Sequence, residues 1–114
     1  MKLAEVQQLL QGEVITSFDG VDPDITSCMG TDMMSDVLAF AEPGALLVTG
    51  LTNSQSVRTA GIADAAGIVY VRGKSPDEQA VNLAEKLRIP VLSTKHGMFE
   101  TCAILCNAGL KGVC

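Results

Sequence analysis

Apolar and polar positions follow two periods along this chain, and the switches between them mark out its elements. Leu3, Val6, Leu9 and Leu10 fall at helical spacing, which predicts a short amphipathic helix over Lys2 to Gln11 that Gly12 can end. Val14 and Ile15 favour extended backbone, so Glu13 to Phe18 reads as a strand. The cluster Asp19-Gly20-Val21-Asp22-Pro23-Asp24 reads as a turn, the bend of a hairpin-like connection to a weakly patterned strand from Ile25 to Gly30. Thr31 or Asp32 then caps a helix whose apolar face is Met33, Met34, Val37, Leu38 and Phe40, and Pro43-Gly44 ends it.

The second half is more regular. Ala45 to Thr49 is a continuous apolar strand, Gln55 to Ala66 a helix closed by Gly67, and Ile68 to Val71 a further strand. A helix over Pro76 to Leu87 opens with Ser75 as N-cap, Pro76 at the first helical position and Glu78 three residues after the cap. Ile89-Pro90-Val91-Leu92 is a short buried strand with Pro90 at its entry, where a missing ladder donor is tolerated. The last helix runs from about Met98 to Ala108 and ends at Gly109, with Phe99 expected to anchor it. Apolar strands without polar alternation are covered on both faces. The pattern therefore predicts an α/β fold with a mostly parallel sheet and helices on both faces, in one domain over residues 1–114.

Composition narrows the function classes. Of 114 residues, 47% are hydrophobic and 18% charged, with no Trp and one Tyr, so the core is aliphatic and the chain is not disordered. A net charge of −5 and sparse aromatics argue against nucleic acid as a partner. No run is long and apolar enough to span a bilayer, so no membrane partner is expected. The N-terminus does not read as a signal peptide, and a cytoplasmic protein with reduced thiols at Cys28, Cys102, Cys106 and Cys114 is expected.

Ligands of open parallel sheets sit beyond the carboxyl ends of the strands. Three of those ends are followed by polar turns that lead into helices: Thr49 to Ser54, Arg72 to Ser75 and Ser93 to Gly97. With Arg58, they bring four of the eight basic residues of an acidic chain toward one edge. The candidate ligand-binding residues are Thr49, Gly50, Thr52, Asn53, Arg72, Gly73, Lys74, Ser75, Ser93, Thr94 and Lys95, and a nucleotide or another anionic metabolite suits them. The alternative is that these turns only cap helices. Either way, a shared site requires the three turns to converge. No phosphate-loop or dinucleotide fingerprint is present. His96, with Glu100 one turn along to orient it, could act as a general base, but Ser93 is the only nucleophile in view, so no catalytic residue is assigned and no enzyme is expected. Cys102 and Cys106 share a helix face and could join Cys28 and His96 on a soft metal. Buried core thiols are the expectation, with no metal site and no cofactor.

Thr49-Gly50, Ile68-Val69-Tyr70-Val71-Arg72-Gly73, Pro76-Asp77, Ile89 to Thr94 and Phe99-Glu100-Thr101, together with Asp32 to Leu38, resemble the DRTGG domain over nearly the whole chain. The family is similar to the N-terminal domain of HPr kinase/phosphorylase, and its fold to the N-terminal domain of Mur ligases. The resemblance implies a non-catalytic regulatory or ligand-sensing domain that dimerises and acts on a partner protein. The alternatives are a pure interaction or dimerisation subunit, and an enzyme using His96. The chain departs from the name-giving motif: Gly50-Leu51-Thr52 stands where relatives have Gly-Asp-Arg, and Arg72-Gly73-Lys74 where they have Thr-Gly-Gly. Basic charge is thus moved onto Arg72 and Lys74.

Overall fold

The computed structural model describes residues 1–16, 20 and 22–113. In chain order the elements are α1 (Leu3–Leu10), β1 (Glu13–Thr16), β2 (Ser27–Gly30), α2 (Met34–Phe40), β3 (Leu46–Thr49), α3 (Ser54–Ile62), β4 (Gly67–Tyr70), α4 (Glu78–Leu87), β5 (Val91–Ser93), α5 (Met98–Asn107) and β6 (Lys111–Gly112). They form one sheet in the order β1-β5-β4-β3-β2-β6. The four strands from β2 to β5 run parallel, β6 joins them parallel at one edge, and β1 lies antiparallel at the other. The fold is α/β with a mostly parallel sheet, as the apolar strand pattern requires.

Connectivity explains which face each helix covers. Strands β2, β3, β4 and β5 step across the sheet in one direction, and right-handed crossovers made in one direction lay their helices on one face. There α2, α3 and α4 bury Val37, Val57, Ala60, Ala80 and Ala84 against Leu47, Ile68, Tyr70 and Val91. The chain then leaves β5 and returns the whole way to β6, so the same handedness puts α5 on the opposite face. α5 packs there beside α1, and Leu3, Val6, Leu10 and Leu105 close over Val48, Val69 and Leu92. Strand residues alternate between the two clusters because successive side chains point to opposite faces.

Several local expectations are corrected. Strands β1 and β2 do not form a hairpin; three strands stand between them. Ser17, Phe18, Asp19 and Val21 of the expected strand end and turn, and Cys114, lie outside the described residues. Gln11, not Gly12, takes the left-handed conformation that ends α1 (φ 50°). α3 stops at Ile62, Asp64 turns left-handed (φ 56°), and Gly67 belongs to β4. Gly67 is tightly enclosed: a Cβ there would stand 3.1 Å from the Pro90 carbonyl oxygen, which would have to give by a few tenths of an ångström. Asp77, not Ser75, caps α4, its carboxylate accepting from the Ala80 N–H at 2.8 Å. Met33 stands at the start of α2 with no side-chain cap. On that helix only Met34 and Val37 are buried, while Met33, Leu38 and Phe40 are more than half exposed. Phe99 anchors nothing: it is 88% exposed.

Candidate functional site

Register sets the site. Thr49 stands level with Tyr70, and Tyr70 level with Ser93, so β3, β4 and β5 end in one row. Turns that leave level strand ends lie side by side, and here they are laced together. Arg72 (φ 61°) and Gly73 (φ 67°) form a tight turn closed by the Lys74 N–H on the Val71 carbonyl (3.2 Å). Two successive positive φ values are the mark of a primed turn, and Arg72 takes that conformation against the preference of any residue with a Cβ. Backbone bonds hold it to the next turn: the Arg72 N–H donates to the His96 carbonyl and the Gly73 N–H to the Thr94 carbonyl, both at 2.8 Å. Ser93 Oγ donates to the Lys74 carbonyl at 2.7 Å. On the other side Lys74 Nζ donates to the Gly50 carbonyl at 3.0 Å, and the Asp77 N–H to the Thr52 carbonyl at 3.3 Å. The three turns therefore converge.

A fourth strand end joins them. Asp32, just beyond β2, accepts at Oδ1 from the Gly50 N–H (2.6 Å) and the Thr49 hydroxyl (3.1 Å). The Gly50 amide, then the Thr49 hydroxyl and the Arg72 and Lys74 charges, hold its carboxyl below the usual carboxylate range against a smaller opposing effect of burial. The sequence pattern marks Asp32 only as a helix cap. A signal for more exists: the residues that follow each strand, taken after β2 as well, include Thr31-Asp32. Gly50 is buried at the centre, and a Cβ on it would lie 2.5 Å from an Arg72 guanidinium nitrogen.

The candidate residues divide by what already holds them. Thr49, Ser93 and Thr94 are buried and donate within the protein, Thr94 to the Leu10 carbonyl at 2.8 Å. Asn53 caps α3, accepting from the Ser56 N–H. Ser56 Oγ in turn donates to the Asn53 carbonyl (2.7 Å), so its contact with the Tyr70 hydroxyl (2.8 Å) is one that Tyr70 donates; burial raises the pKa of that hydroxyl and keeps it a donor. Arg72, Lys74, Ser75 and Lys95 are exposed and Thr52 half-buried. Arg58 is not at this edge. It lines the groove between α3 and α4, with Lys86 across from it. It also borders a groove of about 650 Å³ at the opposite, amino end of the strands, walled by Ile62, Leu87, Ile89 and Pro90. That groove is mostly apolar and lies away from the laced turns.

His96 Nδ1 pairs with Glu100, as the spacing suggested, but the hydroxyl of Ser93 is turned away onto Lys74. Cys28 is buried, and burial pushes its thiol up to about 11; Cys102 is half-buried, and Cys106 is exposed rather than in the core. Among the described residues no group of His, Cys, Asp and Glu is arranged to hold a metal ion, and no helix is long and apolar enough to cross a membrane.

Comparison with known proteins decides the family. The DRTGG domain model matches residues 5–108. This chain belongs to the DRTGG domain family. It is 24% identical over 106 residues to the uncharacterized protein YtoI of Bacillus subtilis (strain 168), a match covering 92% of this chain and 24% of YtoI. This DRTGG domain thus corresponds to about a quarter of that relative's length. Its fold is similar to a crystal structure of the CBS and DRTGG domains of the regulatory region of Clostridium perfringens pyrophosphatase, complexed with the activator diadenosine tetraphosphate. That match has a TM-score of 0.74 at 15% identity and covers 90% of this chain and 45% of the other.

Proposed function

We propose that this DRTGG domain is a non-catalytic regulatory domain that binds a nucleotide or another anionic metabolite at the carboxyl ends of β3, β4 and β5. The observation that carries the reading is the lacing of the Lys95 turn to the Arg72–Lys74 turn, and of Lys74 to the Gly50 carbonyl, which gathers exposed cations at one edge of a chain of net charge −5. Clustered basic groups beside backbone donors favour phosphate or carboxylate. The pyrophosphatase regulatory region that carries diadenosine tetraphosphate contains this fold as 45% of its length, which makes that nucleotide the first to try. The candidate contacts are Thr49, Gly50, Thr52, Arg72, Gly73, Lys74, Ser75 and Lys95, with Asn53, Ser93 and Thr94 shaping the turns. The domain acts as one folding unit in a homodimer and signals to a partner protein in the cytoplasm.

The test is a thermal melt with diadenosine tetraphosphate, ATP and inorganic pyrophosphate. Ligand at about 100 times its Kd adds about 2.7 kcal/mol, a rise of about 10 °C for a chain of this size. The rise is expected to shrink in Arg72→Gln and Lys74→Gln. No rise at millimolar concentrations of any of the three removes the sensing claim. A second reading, a pure dimerisation subunit, is favoured by the exposed Met33 (59%), Leu38 (55%) and Phe40 (52%) on and beside α2. It expects no melting shift, but a change from dimer to monomer in sedimentation when Leu38→Lys is introduced.

A further inference from the structure

Charged side chains from neighbouring strand ends hold Gly50 on both sides, Asp32 accepting from its N–H and Lys74 donating to its carbonyl. The Arg72 guanidinium sits over the same residue. We propose that Asp32 is the site's internal anion, occupying the donors that a ligand's phosphate or carboxylate takes, so that binding requires its carboxylate to swing out. The inference rests on the ligand reading above and adds a built-in competitor to it.

Three features support a displaceable occupant over a fixed tie. The donors it covers are buried: Thr49 has 0% exposure and Gly50 is enclosed, yet the side chain covering them is exposed. Both hydrogen bonds use the one oxygen Oδ1, so a single rotation of the side chain frees both donors. The backbone around Asp32 is held independently, by the Thr31 N–H on the Val48 carbonyl (3.0 Å) and the Met33 N–H on Thr31 Oγ1 (3.0 Å). Asp32 can therefore release Gly50 without unwinding β2 or α2. An incoming anion places the same charge on the same donors and keeps a negative group near Arg72 and Lys74. Compact monoanions gain nothing over Asp32, whereas a diphosphate carries a second charged group for Arg72 and Lys74 beside Gly50.

The experiment is calorimetric titration of the full chain with inorganic pyrophosphate, on wild type, Asp32→Asn and Asp32→Ala, with a melt of each to establish folding. Asp32→Asn keeps an acceptor of the same size and removes the charge. Losing a charge-assisted competitor is expected to tighten binding about tenfold or more in both variants. Binding by the two variants and not by wild type supports the internal anion equally. Wild type that binds as tightly as both variants, or more tightly, overturns the internal anion and leaves the ligand site standing. No binding by any of the three overturns both.

Discussion

Thr101 is fully buried in α5, and its hydroxyl oxygen has no hydrogen-bond partner among the described residues. An unpaired buried hydroxyl costs free energy that an apolar group of the same shape does not. Thr101→Val is therefore expected to raise the urea midpoint, by about 1 kcal/mol of stability with an unchanged slope. A loss of stability would mean the hydroxyl is satisfied. Two other buried hydroxyls contrast with it. Thr16 donates to the Ile89 carbonyl (2.9 Å) and Thr94 to the Leu10 carbonyl (2.8 Å), tying the N-terminal segment to β5. Residue type and position mark Ser93 and Thr94 as site residues, but whether a hydroxyl faces a ligand or a carbonyl 84 positions away depends on long-range packing. The same holds for Phe99, whose aromatic ring predicts burial while its place on the outer side of α5 leaves it in solvent.

At the scale of elements, the central strands and the start of α5 are legible, whereas the caps of α2 and α4 are not. Runs such as Leu46-Leu47-Val48 and Ile68-Val69-Tyr70 declare themselves because both faces are covered and no polar position interrupts them. Helix starts are decided among adjacent capping residues by tertiary contacts. Ser75-Pro76-Asp77 offers two caps; Asp77 prevails, with its own N–H drawn to the Thr52 carbonyl at the end of β3. Asp77→Ala should thus cost about 1 kcal/mol, whereas Ser75→Ala should fall within about 0.5 kcal/mol of wild type, the usual range of a surface change. Chemical denaturation of the two variants checks this, and equal losses would return the cap to Ser75. β6 escapes a pattern-based reading because Lys111-Gly112 is too short to carry a pattern. It exists because α5 delivers the chain to the free edge of β2, where the Val113 N–H meets the Cys28 carbonyl at 2.9 Å.

For the whole molecule, one geometric fact links fold to proposed function. Parallel strands in level register end in a row, so turns far apart in sequence become neighbours. The ends of β3, β4 and β5 are legible in the apolar runs, whereas their convergence, a requirement at the level of sequence, is set by sheet order and register. Asp32 is not legible in the same way, because the strand before it is weakly patterned and its order in the sheet, beside β3, follows from connectivity. Nor is the place of Arg58, whose helical position sends it toward α4 instead of the edge. The proposed ligand site is thus a single cluster around Gly50, with Asp32, Arg72 and Lys74 as its charges and the Lys95 turn laced beside it. The most direct measurement is a two-dimensional amide spectrum of the labelled protein titrated with diadenosine tetraphosphate and inorganic pyrophosphate. Saturable shifts are expected at Gly50, Thr52, Gly73, Lys74 and Lys95, with the amides of Ile62, Leu87 and Arg88 at the opposite end unmoved. Shifts confined to that opposite end, or none at the four strand ends, would contradict a ligand site at the Gly50 cluster.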